Sequence, residues 1–273
     1  MGEIVSTFHA FVLGMVQGIT EFLPVSSSAH LVLVPWFFGW QDPGLAFDVF
    51  LHLGTVVAIF AYFARDWVNL GKAAIASIVE RRIGYEKDRI LFWFLFLGTI
   101  PAVFAGLLFH EHAETVFRSP LLIAVTLSVV GLLLYWIDSS YPALRRIEEL
   151  KLRDVLLIGF AQALAIIPGV SRSGSTMAMA RLLGMNREAS ARFSFLLSFP
   201  ILLGAFVFEA KGFLEQASGS LSAGYVLMGF LSSLIFGFLS IHFLLYYLRV
   251  ADFRVFAWYR LVLAGGIIIW SLV

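Results

Sequence analysis

The chain has 273 residues, of which 60% are hydrophobic and only 14% are charged. This composition excludes an ordinary soluble domain and indicates an integral membrane protein. The net charge of +1 lacks the clustered excess of Lys and Arg that nucleic-acid binding requires, so we expect no nucleic-acid partner. The chain has no cysteine, which excludes disulfides, thiolate metal sites and thiol nucleophiles.

Two of the apolar stretches are interrupted by polar residues. The first, at about 8–39, is broken by "PVSSS" at 24–28, and the second, at about 154–185, is broken by "PGVSRSGS" at 168–175. Proline and glycine break helices, and such a break is tolerated in hydrocarbon only where protein or a water-filled cavity surrounds it. Each stretch therefore predicts a broken, re-entrant helical hairpin.

Six further apolar stretches are long enough, at roughly twenty residues each, to cross a bilayer as helices. They lie at about 45–64, 91–110, 121–138, 192–211, 224–248 and 255–273. We therefore predict an all-α polytopic membrane protein with about six full transmembrane helices and two re-entrant hairpins, in a single integral membrane domain over 1–273.

The basic residues predict the orientation of the chain in the membrane. They concentrate in two segments, 65–90 and 139–154, which we treat as cytoplasmic loops, whereas 1–44 holds no Lys or Arg. Following the six spans from these assignments places both termini on the outer side.

A shift of 145 positions aligns the two broken stretches with each other. It places Gly14 on Gly159, Gln17 on Gln162, Val25 on Val170, Ser26 on Ser171 and Ser28 on Ser173. Since the spans that follow run in opposite directions, the pattern predicts inverted repeats at about 5–138 and 150–273. Inverted repeats bring discontinuous helices together near the bilayer midplane, so we expect the two polar strings to form one site.

Arg172 is the strongest indication of a ligand. A permanent cation in an apolar segment is costly, and its guanidinium matches phosphate or carboxylate oxygens. The neighbouring Ser171, Ser173 and Thr176 supply hydroxyls, which together predict a phosphate cradle at a helix N-terminus. The alternative is an arginine neutralised by a structural carboxylate or reaching the surface.

A second polar group lies in the first broken stretch. Gln17 and Glu21 share a helix face, and Ser26, Ser27, Ser28 and His30 follow them. Glu21 is a candidate general base or ligand of a hard cation, or simply the ion-pair partner of Arg172. Ser27 is a candidate nucleophile activated by His30 or Glu21, and His30 itself is an alternative nucleophile. Each hydroxyl also has a structural interpretation as a packing or capping group.

The remaining polar residues give weaker indications. They are Asp48 with His52, the group His110, Glu111, His112 and Glu114, and the isolated His9 and His242. The first pair is either a support behind the site or an interfacial pair. The histidines of the second group diverge on a helix, which disfavours a metal site, and the isolated histidines are best explained as packing residues.

Three stretches carry a resemblance to a known family. "QGITEFLPVSSSAH" at 17–30, "PGVSRSGST" at 168–176 and "RFSFLLSFP" at 192–200 are similar to motifs of the undecaprenyl-diphosphate phosphatase family, the bacitracin-resistance type of bacterial membrane phosphatase. The resemblance extends over the whole chain in the same order.

The resemblance implies hydrolysis of undecaprenyl diphosphate to undecaprenyl phosphate in the bacterial inner membrane, which recycles the lipid carrier for cell-wall glycans. It also implies a divalent cation, Mg²⁺ or Ca²⁺, and leaves a homodimer open. By motif position it makes Glu21, Ser27, His30 and Arg172 catalytic, and Gln17, Ser26, Ser28, Ser171, Ser173 and Thr176 substrate-binding, with Glu21 as a candidate metal ligand. Position 17 is Gln where many members have Glu, which shifts the role of base to Glu21.

A transporter or flippase of a polyprenyl phosphate or another anionic substrate is the competing interpretation. Inverted repeats with polar residues at the midplane are also the architecture of alternating access. A membrane protein without a ligand is disfavoured by the intramembrane Arg172.

Overall fold

The chain folds into α-helices joined by short turns. A computed structural model of the chain describes residues 7–114, 118–141, 144–220 and 222–272, and it contains no β-strand within them. The helices are α1 (Thr7–Phe22), α2 (Ser27–Phe38), α3 (Leu45–Tyr62), α4 (Ala64–Val79), α5 (Lys87–Glu114), α6 (Pro120–Ser140), α7 (Leu152–Ala163), α8 (Arg172–Leu182), α9 (Arg187–Ser220), α10 (Ala223–Tyr247) and α11 (Arg254–Trp270). The all-α fold class is confirmed.

Both helix breaks lie where the sequence predicts them. The first break separates α1 from α2, and Ser26 is the N-cap residue of α2. The second break separates α7 from α8, and Ser171 is the N-cap residue of α8. These two serines have positive φ angles of 77° and 71°, which are uncommon for a residue with a side chain and cluster at functional sites. Each side chain caps the helix that follows, accepting from the N–H of Ala29 and of Gly174 respectively.

Five helices are long and apolar enough to cross a membrane: α3, α5, α6, α9 and α10. They match five of the six predicted spans and confirm a multi-pass membrane protein. The sixth prediction, 255–273, corresponds to α11, which has 17 residues and contains Arg260. Its length lies at the lower limit for a bilayer-crossing helix.

The prediction of a loop at 65–90 is wrong for its first half, where the chain forms α4. One face of this helix buries Leu70, Ala74 and Ser77, which are spaced by four and three residues. The segment contains too many polar residues for a transmembrane span, but its apolar residues repeat with the helical period. The helix is therefore amphipathic and packs on α5.

The two halves of the chain pack on each other reciprocally. Helices α1 and α3 contact α10, whereas α7 and α9 contact α5. A Cβ added to Gly14 would lie 2.0 Å from the Ser232 hydroxyl on α10, and one added to Gly159 would lie 2.5 Å from the Gly98 carbonyl on α5. The two glycines are 145 positions apart and both permit close helix contact. The repeats at 5–138 and 150–273 stay a prediction, and this packing is the kind they would produce.

The apolar core holds the first break against the long helices. Phe22, the last residue of α1, is fully buried and meets the Phe195 ring of α9 edge to face, with 5.3 Å between ring centroids. This contact fixes the end of α1, where Glu21 lies.

Candidate active site

The structure brings the two broken segments together through direct hydrogen bonds. The Gly169 N–H donates to Ser26 Oγ at 3.0 Å, and Ser173 Oγ donates to the Leu23 carbonyl at 3.0 Å. Each break thus supplies a hydroxyl to the backbone of the other. The expectation that the two polar strings meet agrees with this geometry.

Arg260 binds both breaks at once, and the sequence analysis missed it. It is fully buried and donates to the carbonyls of Pro24 at 3.0 Å, Val170 at 3.3 Å and Leu127 at 3.2 Å, and also to that of Gly169. A permanent cation in a predicted span is the signal that singled out Arg172. The same signal was present at position 260.

Glu21 is the centre of the site. Its side chain is buried and accepts from Arg172 Nη2 on Oε1 at 2.9 Å, while Oε2 accepts from Gln17 Nε2 at 3.1 Å and from the Ser27 hydroxyl. Since every one of these partners is a donor, the contacts suit an ionised carboxylate. The predicted ion pair between Glu21 and Arg172 is present, and the same carboxylate also holds Ser27.

His52 contacts the same carboxylate. Its Nε2 lies 3.4 Å from Glu21 Oε2, and its Nδ1 is 2.7 Å from the Asp48 carbonyl oxygen. The Asp48 carboxylate in turn pairs with Arg118 at 3.0 Å. The structure therefore places His52 at the site and Asp48 behind it, which decides a question that the sequence left open.

His30 lies apart from Ser27. Its Nδ1 is 2.7 Å from the Ser26 carbonyl oxygen, and its Nε2 is 2.7 Å from the Tyr259 hydroxyl. Both ring nitrogens are thus engaged away from the candidate nucleophile. A catalytic role for His30 stays a prediction, and the contacts favour Glu21 as the group that accepts the Ser27 proton.

The hydroxyls that were predicted to bind substrate divide into two sets. Ser28 and Ser171 line the cavity described below. Ser26 and Ser173 hold the two breaks together, and Thr176 pairs with the Ser194 hydroxyl at 2.7 Å. The second set builds the framework, and only the first set is positioned to meet a ligand.

A cavity of about 430 Å³ joins these residues to the protein surface. Its polar end is lined by Glu21, Ser27, Ser28, His52, Ser171 and Arg172. Its other walls come from α3, α5, α9, the end of α7 and the turn after it, and they are apolar apart from Gln162 and Glu209. Two side chains of the apolar walls are exposed at the protein surface, Leu107 at 58% and Phe208 at 56%. The cavity suits a ligand with a charged head and an apolar chain.

Gln162 is a second residue that the sequence analysis missed as a site residue. It lines the cavity and is only 3% exposed, yet neither its amide nitrogen nor its oxygen has a partner among the described residues. Buried polar groups normally have hydrogen-bond partners, so the amide is available for a ligand. The only sequence signal was its alignment with Gln17.

The described residues do not form a preassembled metal centre. No group of three or more His, Cys, Asp or Glu side chains within them is arranged to hold an ion. The buried carbonyl oxygen of Gln162 has no partner among the described residues, and with Glu21 it offers the cavity oxygen ligands of the kind that hard cations prefer. Of the group at 110–114, the side chains of His110, His112 and Glu114 lie outside the described part.

A comparison with protein-family models identifies the family to which the chain belongs. Residues 10–266 match the family described as Bacitracin resistance protein BacA. The chain belongs to this family. Among BacA relatives it is 51% identical to a protein of Pelotomaculum thermopropionicum named undecaprenyl-diphosphatase, covering 97% of this chain and 96% of the relative. It is 48% identical to one of Moorella thermoacetica with the same name, covering 96% and 97%.

Proposed function

We propose that the chain hydrolyses undecaprenyl diphosphate to undecaprenyl phosphate and inorganic phosphate, and so recycles the lipid carrier for cell-wall glycan synthesis. The observation that carries the proposal is the cavity that joins Arg172, Glu21 and Ser27 to an apolar groove. The relatives named undecaprenyl-diphosphatase support the same substrate. The diphosphate would lie at the polar end, with the first prenyl units along the apolar walls.

The position of the cavity supports access from the outer face of the bacterial inner membrane. The cavity is lined by the start of α3 and by the later parts of α5 and α9. The basic segments 65–90 and 139–154 lie at the opposite ends of these helices, and basic loops stay in the cytoplasm. This orientation keeps both termini on the outer side.

The contacts of Ser27 support a covalent mechanism. Ser27 Oγ attacks the terminal phosphorus, and its proton passes to Glu21 Oε2, which it already contacts. The bond between the terminal phosphorus and the bridging oxygen breaks, releasing undecaprenyl phosphate. Water then hydrolyses the phosphoserine. Direct attack by water activated by Glu21 is the competing route.

Arg172 is suited to stabilise the phosphoryl group as it is transferred. Its Nη2 holds Glu21 and its Nη1 donates to the Ser194 carbonyl at 3.1 Å, while its buried Nε has no partner among the described residues. The guanidinium is therefore fixed in place with donor capacity to spare. A preorganised cation of this kind binds the developing negative charge without reorganisation.

A divalent cation fits the site as a companion of the diphosphate. Mg²⁺ in phosphoryl-transfer sites is commonly held by one or two carboxylates together with substrate phosphates. Glu21 and the amide oxygen of Gln162 would hold the ion from the cavity wall, and Mg²⁺ or Ca²⁺ would neutralise phosphate charge. The Gln162 amide nitrogen would donate to a phosphate oxygen.

A homodimer stays a prediction.

Phosphate release tests the proposal against transport. Purified protein in detergent is given a polyprenyl diphosphate with Mg²⁺ or Ca²⁺, a setting in which no transport is measurable. We expect release of inorganic phosphate, its loss in Arg172→Ala, and its retention in Arg249→Ala, where the arginine is 59% exposed. No release by the wild-type protein, or unchanged release by Arg172→Ala, would favour the transporter.

A further inference from the structure

The exposed face of α4 carries an apolar stripe. Val68 is 53% exposed, Ile75 66% and Val79 76%. These residues are seven and four positions apart, so they lie on one side of the helix. Lys72 is four residues after Val68 and three before Ile75, so it lies on the same side of the helix, and it is exposed. We call these four residues the α4 stripe.

The α4 stripe lies at one end of the membrane-spanning helices. Trp67 of α4 packs on Phe199, with 4.5 Å between ring centroids, and Ser77 accepts from Trp93 Nε1 of α5 at 3.1 Å. The helix also follows the end of α3 directly and precedes the start of α5. These contacts turn the stripe away from the bundle, at the end of α3 and the start of α5.

Three of the four acidic side chains around α4 form ion pairs with arginines. Asp66 pairs with Arg192 of α9, while Glu80 and Glu86 both pair with Arg89, at 2.6 Å and 2.7 Å. The acid without such a pair in the described part is Asp88. The basic side chains of the segment that have no ion pair there are Arg65, Lys72, Arg81, Arg82 and Lys87. Because one guanidinium offsets only one of the two glutamates, the segment 65–90, with six basic and four acidic side chains, keeps a net charge of +2.

We propose that α4 is an interfacial helix that binds anionic phospholipids in the leaflet on its side of the membrane. The apolar stripe matches the acyl region, and the unpaired cations match the phosphates of acidic headgroups. A zwitterionic lipid would satisfy the stripe but leave the excess positive charge uncompensated. This site is separate from the cavity, and it does not depend on the proposed reaction.

Energy transfer from α4 to labelled lipids tests the proposal. The chain has no cysteine, so Ile75→Cys gives a single site for a donor fluorophore. The protein is reconstituted in phosphatidylcholine vesicles that contain a trace of acyl-labelled phosphatidylglycerol or, in parallel, acyl-labelled phosphatidylcholine. We expect roughly threefold greater transfer to phosphatidylglycerol at low salt, falling toward the phosphatidylcholine value at about 0.5 M salt.

Charge variants complete the test. In the Ile75→Cys background, Lys72→Gln with Arg81→Gln and Arg82→Gln should abolish the preference for phosphatidylglycerol. The matched control, Arg146→Gln with Lys151→Gln and Arg153→Gln, removes three exposed cations from the other basic segment and should retain the preference. Equal transfer to both lipids by the wild-type charges would overturn the proposal. A preference for phosphatidylglycerol that survives in the triple variant would also overturn it. Stronger energy transfer between labelled copies of the protein than from the protein to labelled lipid would do the same.

Discussion

Arg260 offers the sharpest test of how the two breaks are held together. Its Nε donates to the Leu127 carbonyl at 3.2 Å and its two terminal nitrogens bind the carbonyls of Pro24, Gly169 and Val170. Arg260→Lys keeps the charge but has a methylene where Nε was and a single nitrogen in place of the fork. The variant must lose the Leu127 contact and at least one contact to a break.

The expected cost follows from these contacts. Hydrogen bonds to charged groups contribute about 1.5–3 kcal/mol each, so the loss of two of them destabilises the protein by about 3–6 kcal/mol. At about 2–4 °C per kcal/mol, the melting temperature should fall by roughly 6–24 °C. Since the same carbonyls position Ser27 and Arg172, we expect kcat for phosphate release to fall about tenfold or more.

The assay is thermal unfolding in detergent, run beside phosphate release. The matched control is Arg254→Lys on the same helix, where the arginine is 56% exposed and lies 3.4 Å from Asp252. The control should shift stability by less than about 0.5 kcal/mol. Wild-type melting temperature and kcat in Arg260→Lys would refute the conclusion that this side chain holds the breaks.

Two further predictions concern packing and binding. Gly159→Ala places a Cβ 2.5 Å from the Gly98 carbonyl and should destabilise the protein by about 1–3 kcal/mol in thermal unfolding, whereas Gly266→Ala, with open space around it, should not. Equal melting temperatures for the two would contradict close α5 to α7 contact. Gln162→Leu should raise KM for the diphosphate about tenfold without lowering the melting temperature, because its amide has no partner to lose in the described part of the chain. Gln41→Leu, in an exposed loop, is its control, and an unchanged KM in Gln162→Leu would exclude the amide as a ligand.

The sequence predicts the breaks well because their cause is local. Proline, glycine and serine disfavour a continuous helix wherever they cluster, so 24–28 and 168–175 could be identified without the fold. The same reasoning identified Glu21, Ser27 and Arg172. Their chemistry is unusual for an apolar segment, and they do lie together.

Contacts between distant parts of the chain could not be predicted in this way. His30 has Tyr259 as a partner and Arg260 binds Pro24, at separations of more than two hundred residues. His52 contacts Glu21 only because α3 packs beside α1. The spacing of His30 after Ser27 suggested a nucleophile and base pair, but helix α2 turns the imidazole toward α11. Helix α4 was missed because the search was for continuous apolar stretches, and the apolar residues of α4 alternate with polar ones at the helical period.

Trapping of a phosphoryl-enzyme tests the central claim most directly. The purified protein is mixed with undecaprenyl diphosphate labelled in its terminal phosphate, quenched in acid, and the labelled residue is located. Glu21→Gln, Ser27→Ala, His30→Ala and Arg172→Ala are measured beside it for phosphate release. We predict label on Ser27, no label and no release in Ser27→Ala, and a smaller loss in His30→Ala than in Glu21→Gln. Full phosphate release by Ser27→Ala would contradict the assignment of Ser27 as the nucleophile.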